Sequence, residues 1–250
     1  MKIVTVFNFP DMKNYNNLCR WWCTQTDKHR CGLPVEIWTK DASSVKCDIP
    51  EDFSVLEKES VAIDGVVCSN LFSPKAEHNI GFKLYNVCLE SEPFIFVDAD
   101  AILLADVIPL VEASKDKPYI AVDHQCIPIH TADLPRQDFL NSGLQIVSDP
   151  DMLDWERVSK HYRINHYDYF IYPGTDQSII QTYLEDFEYD HRHPNVGYEW
   201  NSCAGYTQIE DGQAVCRGLS TEHPVYINHY WYTYKPWIMR CPLFEEFVNG

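Results

Sequence analysis

Hydrophobic positions along the chain change their spacing several times, and each change marks an element. Lys2 to Phe9 alternates β-branched and aromatic residues until Pro10 and Asp11 interrupt it, the pattern of a first strand ending in a turn. A helix is predicted from about Tyr15 to Asp27. Val35 to Trp38 reads as a short buried strand, and Val61 to Val67, broken by Gly65, is a further candidate. Between Lys75 and Glu90 the residues Ile80, Leu84, Val87, Cys88 and Leu89 fall on one broad side of a helix. Pro93 stops it. Phe94, Ile95, Phe96 and Val97 are apolar without alternation, as in a central strand covered on both faces. Strands are predicted again at Tyr119 to Val122 and Leu140 to Val147, with a long loop from Asp123 to Gln137 between them. Helices are predicted at Met152 to Tyr162 and Asp176 to Leu184. From Phe187 onward the chain is rich in Tyr, Trp, His and Asn and has few regular patterns.

Strands alternating with helices predict an α/β fold. A chain of 250 residues, 45% hydrophobic and 14% aromatic, suits one large domain better than two small ones. No repeat, low-complexity tract or long linker divides it. Charge narrows the function classes. With 37 acidic against 20 basic residues the surface repels polyanions, so a nucleic-acid partner is not expected. A nucleotide diphosphate remains compatible, because one divalent cation reverses the local sign of an acidic pocket. No apolar run approaches the ~20 residues of a spanning helix, and the first residues are too short a stretch for a signal peptide. The expectation is a cytoplasmic protein without a membrane span. The ten cysteines lack paired Cys-x-x-Cys spacing and read as reduced, mostly buried thiols.

Two Asp-x-Asp triplets stand out, and their contexts differ. Asp149-Pro150-Asp151 follows a strand and opens a predicted helix, where an aspartate caps free N–H groups. Asp98-Ala99-Asp100 ends the buried strand, where open α/β sheets place their ligands. Two carboxylates about 4 Å apart repel by ~4 kcal/mol at an effective dielectric near 20, so this pair calls for a cation. Hard oxygen ligands with an imidazole suit Mn²⁺ or Mg²⁺ better than zinc.

These features belong to an ordered set. Phe82-Lys83-Leu84 lies on the helix before the acidic strand, and Asp123 follows the next strand. Phe139-Leu140-Asn141-Ser142-Gly143 starts another strand, Asp176-Gln177 opens a helix, and His229 precedes Lys235-Pro236-Trp237. Together they resemble glycosyltransferase family eight, which includes glycogenin and bacterial lipopolysaccharide galactosyltransferases, over nearly the whole chain. The resemblance implies a single GT-A (Rossmann-like) domain over residues 1–250, its mixed, mostly parallel central sheet flanked by helices. Residues 1–125 would form the nucleotide-binding half. Residues 126–250 would form the acceptor half, ending in a loop that carries metal and diphosphate contacts.

The activity implied is transfer of a hexose or pentose, with retention, from a nucleotide-sugar donor, usually a UDP-sugar, to an acceptor hydroxyl on a glycan, glycoprotein or small molecule. Asp98, Asp100 and His229 would hold the metal. Lys235 would neutralise the diphosphate, and Asp176 or Gln177 would support the reacting sugar. Thr5, Tyr15, Lys83, Asp123 and Asn141 would contact the donor, Tyr15 by stacking on the base. In one respect the chain departs from the family: Tyr232 stands where a glycine usually lies between the His and the Lys-Pro-Trp. Two other readings stay open at this level. One is a metal-dependent nucleotidyltransferase, although the chain has no glycine-rich phosphate loop. The other is a non-catalytic carbohydrate-binding protein that uses the aromatic C-terminal third.

Overall fold

The computed structural model describes residues 1–8, 12–59, 74–123, 140–165, 176–211, 213–217, 222–230 and 234–250, and only the backbone path of 74–81, 162–165 and 178. The strands are β1 (Lys2–Val6), β2 (Val35–Thr39), β3 (Phe53–Glu57), β4 (Phe94–Val97), β5 (Ala101–Leu103), β6 (Tyr119–Asp123) and β7 (Leu140–Val147) in the first part of the chain. Five short ones follow: β8 (Ser202–Cys203), β9 (Thr207–Glu210), β10 (Gln213–Arg217), β11 (Glu222–Pro224) and β12 (Ile227–His229). The main sheet has the order β3-β2-β1-β4-β7-β6. Its β1, β2, β3 and β4 pair in parallel, and β7 runs antiparallel to both β4 and β6. This is the mixed, mostly parallel sheet expected.

The unbroken apolar run of β4 is divided between two cores. Ile95 and Val97 join Ile3, Ile37, Leu18, Trp21 and Trp22 on one face, whereas Phe94 and Phe96 join Val4, Trp38, Phe82, Leu84 and Val158 on the other. The first face is covered by α1 (Lys13–His29) and α3 (Ile108–Ala113), and the second by α2 (Pro74–Leu89), α4 (Trp155–Asn165) and α5 (Asp176–Asp186). Helix α1 exceeds its predicted span by two residues at each end and stops where Cys31 and Gly32 take positive φ values of 53° and 80°. Glycine meets no Cβ penalty in that backbone region.

Several elements differ from the sequence reading. Strand β3 was not anticipated: it is a half-exposed edge strand whose FSVLE pattern is too short to stand out. Asp149 caps a 3₁₀ turn over Pro150–Leu153, accepting from Asp151 N at 3.2 Å, and does not open the helix. Helix α4 starts later, with Asp154 Oδ1 accepting from Arg157 N at 2.9 Å. The candidate strand from Val61 to Val67 and the loop from 124 to 137 lie outside the described residues, as does Tyr232. The irregular C-terminal third forms the three-stranded sheet β11-β10-β9 and adds β12 and β8 to β5 in a second, β5-β12-β8. It ends in α6 (Pro236–Met239) and α7 (Pro242–Asn249). The second small sheet positions the site.

Candidate functional site

The acidic triplet forms the turn that carries the chain from the main sheet to the small one. Asp98 N donates to Gly143 O at 2.8 Å on β7, and Ala101 N donates back to Asp98 O at 2.8 Å, so the turn closes within four residues. β5 then pairs antiparallel with β12, setting His229 opposite Ala101, and Tyr230 N donates to Asp100 O at 2.7 Å. His229 is thereby brought onto Asp98 and Asp100. One ligand atom from each of the three residues lies within 4.8 Å of the others. Two carboxylate oxygens and an imidazole nitrogen at this spacing fit a hard or borderline divalent cation. Asp98 keeps 26% of its side-chain surface and Asp100 17%, so the cluster opens to solvent on one side.

Two lysines balance the acidic charge. Lys83 Nζ, buried beneath the turn, reaches Asp98 Oδ1 at 2.8 Å, Ser142 O at 2.9 Å and Ser142 Oγ at 3.2 Å, and lies 4.6 Å from the centre of the Phe96 ring. It also lies 2.9 Å from Asp176 Oδ2, an ion pair outside hydrogen-bond alignment, at the first residue of α5. Lys235 Nζ pairs with Asp100 Oδ2. Burial pushes the Asp98 carboxyl above its ordinary range against the pull of Lys83, and the charges of Asp100 and Asp176 add to the rise. Asp100 goes the other way: burial disfavours its charge, but Lys235 and His229 outweigh burial and hold its carboxyl well below the usual range. Burial works against the Lys83 ammonium, yet Asp176 and Asp98 hold it charged well above the ordinary lysine range.

The Asn-Ser-Gly segment owes its position to a break in strand pairing. Along β6 the partner of Ala121 is Gln145 and that of Val122 is Asn141, so Ser142, Gly143 and Leu144 bulge away from β6. Gly143 faces His229 directly. A Cβ there would lie 2.2 Å from His229 Cε1 and 2.6 Å from Nδ1, so only glycine leaves room for the imidazole. Behind the ring, Asn201 Oδ1 is 2.9 Å from His229 Nδ1 and Asn201 Nδ2 donates to Asn141 Oδ1 at 3.0 Å. Asn141 Oδ1 also accepts from Gly143 N at 2.7 Å.

The remaining expected residues lie at varying removes from the cluster. Asp123, at the end of β6, is held by His191 Nε2 at 2.8 Å and Arg192 Nε at 2.6 Å. Thr5 is fully buried in β1, and its hydroxyl has no hydrogen-bond partner among the described residues. Tyr15 packs edge-on against Trp237 at 5.1 Å, and Trp237 lies 6.2 Å from Phe244. These rings anchor the segment that presents Lys235, the residue preceding α6. Gln177 is partly exposed beside Asp176. Sequence reasoning missed Asn201, which belongs to no motif, and passed over Ser142 and Gly143 as ligand-shaping groups although both lie in the quoted segment. The context of Asn201, a lone amide between Trp200 and Ser202 in an aromatic stretch, offered little signal.

No protein-family model matches the chain, and no curated protein does. Solved structures do. The glycosyltransferase GlyE of Streptococcus pneumoniae TIGR4 aligns with all of this chain and 61% of its own, with a TM-score of 0.60 and 14% identity. The bifunctional glycosyltransferase WbbM aligns over all of this chain and 49% of its own (TM-score 0.61, 13% identity). An active-site mutant of LgtC aligns over 100% of this chain and 95% of its own (TM-score 0.63, 12% identity). The chain therefore spans about three fifths of GlyE and half of WbbM, but nearly all of LgtC. Its fold is the GT-A fold of family-eight-type glycosyltransferases, the one its ordered motifs resemble.

Proposed function

We propose that this chain is a glycosyltransferase that takes a hexose or pentose from a nucleotide-sugar, a UDP-sugar in the first instance, and transfers it with retention to an acceptor hydroxyl. The observation that carries this reading is the convergence of Asp98 and Asp100 with His229, far apart in the sequence, within 4.8 Å. Those three residues would hold a divalent cation, Mn²⁺ or Mg²⁺, which when bound supplies Lewis-acid stabilisation of a departing diphosphate. LgtC, solved as a galactosyltransferase with donor and acceptor sugar analogues, supports the substrate class by its fold.

The chain's own groups divide the remaining work. Lys83 sets a buried positive charge against Asp98 and Asp176 from below, at 2.8 and 2.9 Å. Lys235 pairs with Asp100 and is the ammonium suited to stabilise the diphosphate as negative charge grows on it. As the sugar–phosphate bond breaks, the acceptor oxygen bonds to the same face of the sugar, and its proton passes to the departing phosphate oxygen. Asp176, its charge committed to Lys83, acts as an electrostatic support for the cationic sugar, with Gln177, and is poorly placed as a free nucleophile. Asn141 and Asp123 flank the sheet end where sugar hydroxyls would be fixed. Thr5 and Tyr15 are assigned to the nucleotide side, residues 1–125, and the acceptor to residues 126–250 of the single domain.

Calorimetry with UDP in the presence and absence of Mn²⁺ tests the site, and release of UDP from UDP-glucose, UDP-galactose and UDP-xylose tests the reaction. Asp98→Asn and Asp100→Asn should each lower transfer by about 100-fold or more, the scale of losing a transition-state electrostatic group. Unchanged Mn²⁺-dependent transfer in both variants would refute the assignment.

A further inference from the structure

The orientation of the amides behind His229 follows from one point that cannot be reversed. The backbone N–H of Gly143 can only donate, so the Asn141 atom 2.7 Å from it is the oxygen. That oxygen can only accept, so the Asn201 group 3.0 Å away is the NH₂. Asn201 must then turn its own oxygen toward His229, 2.9 Å from Nδ1. An oxygen there requires Nδ1 to carry a proton. The other nitrogen, Nε2, faces Asp100 Oδ1 at 3.3 Å and Asp98 Oδ2 at 3.7 Å.

We propose that Asn201 is a positioning residue that locks His229 in the Nδ1–H tautomer, so that the Nε2 lone pair is the one presented between Asp98 and Asp100 to a divalent cation. The proposal deepens the metal reading given under Proposed function and rests on it. Asn141, Asn201 and His229 are 4%, 5% and 4% exposed, so water does not compete for the links of this relay. Reversing any link would set two buried oxygens or two buried N–H groups against each other, each unsatisfied group costing more than a hydrogen bond returns. Neutral imidazole in water favours the opposite tautomer, with the proton on Nε2, which would close the ligand position. Ligating imidazoles are commonly fixed through their second nitrogen in this way. Gly143 contributes twice: its N–H polarises the relay, and its missing side chain admits the ring.

The test uses the full chain labelled with ¹⁵N-histidine, free of metal and followed through a pH titration until the His229 ring is neutral. His229 is identified by loss of its signals in His229→Gln. Wild type should show Nδ1 protonated and Nε2 unprotonated, and Asn201→Leu, close in size but unable to accept, should move His229 toward the Nε2–H form. Free Mn²⁺ measured by electron paramagnetic resonance should then give a dissociation constant about 10- to 100-fold higher for Asn201→Leu than for wild type. A merely structural Asn201 would lower the melting temperature without changing the tautomer. The proposal is overturned by an Nε2–H tautomer in wild type, which needs no folded variant, or by Mn²⁺ affinity in Asn201→Leu within about twofold of wild type. Absence of Mn²⁺ binding by wild type overturns the metal reading itself, and the wild-type tautomer tells that failure apart from an error about Asn201.

Discussion

At the scale of single residues the site depends on a missing atom as much as on charged ones. In Gly143→Ala the new Cβ would overlap His229 Cε1 at 2.2 Å and Nδ1 at 2.6 Å, and the collision involves a ring whose Nδ1 is held by Asn201. The imidazole must shift, and a displacement near 1 Å at a reacting centre costs on the order of 100-fold in rate. Transfer and Mn²⁺ affinity should fall together in this variant while the circular dichroism spectrum stays native. A second residue-scale prediction concerns the thiols. Cys19 and Cys23, a turn apart on α1 and buried, hydrogen-bond to the more accessible Cys47, which lowers the Cys47 thiol below its ordinary range against the effect of burial. The same contacts, with burial, push Cys19 and Cys23 up. Brief treatment with iodoacetamide at neutral pH, followed by peptide mass spectrometry, should label Cys47 and leave Cys19 and Cys23 unmodified. Equal labelling of all three would refute the asymmetry. The sequence reading of scattered buried thiols holds for Cys19, Cys23, Cys88, Cys203 and Cys216, but spacing could not reveal that Cys47 returns to α1.

At the scale of elements, the edge of β6 is covered by the segment that follows α5, through contacts that depend on pH. Ala121 N donates to His191 O at 3.1 Å, Lys117 Nζ donates to the carbonyls of Asp190 and Arg192, and Asp123 receives His191 and Arg192. Burial opposes the Asp123 charge, but His191 and Arg192 outweigh burial and bring its carboxyl below the ordinary range. A depressed folded value contributes stability that is present above the unfolded carboxylate range, about pH 4, and is lost as pH falls through the lower folded value. Asp123→Asn should therefore destabilise by roughly 2 kcal/mol at neutral pH in urea unfolding, and the gap from wild type should close below about pH 4. A gap independent of pH would show that the carboxylate charge is not what holds the segment. This element also marks how far the sequence could be read. The strands of the main sheet apart from β3 were legible because their apolar runs are bounded by turn residues, and α1, α2 and α5 because their apolar sides are wide. The convergence of Asp98, Asp100 and His229 was legible because all three sit in motifs. What was hidden depends on cross-chain pairing: the β5-β12-β8 sheet consists of strands of two or three residues, too short for a period, and it alone puts Asn201 beside His229. Lys83 was singled out by its motif, but a lysine on an apolar helix gives no sign that two carboxylates will draw it inward.

For the whole molecule, 37 acidic residues against 20 basic ones produce a field that gathers cations, and under the proposed function the cluster at the end of β4 would make that attraction specific. Diffuse attraction and a built site differ in a measurable way. A cation that binds only the folded chain stabilises it by about 2.7 kcal/mol at a hundredfold excess over its dissociation constant. For a chain of 250 residues each kcal/mol is worth about 2–4 °C of melting temperature, so saturating Mn²⁺ should raise the transition by about 5–10 °C. A chelator should reverse it. Asp100→Asn leaves nearly all of the net charge but removes one ligand of the three, so it should abolish most of the shift. Raising the salt from about 0.05 M to about 0.5 M screens exposed charge and should weaken only the diffuse component. An equal Mn²⁺ shift in wild type and Asp100→Asn that vanishes in salt would mean that the acidic surface, and not the Asp98, Asp100 and His229 cluster, is what holds the ion.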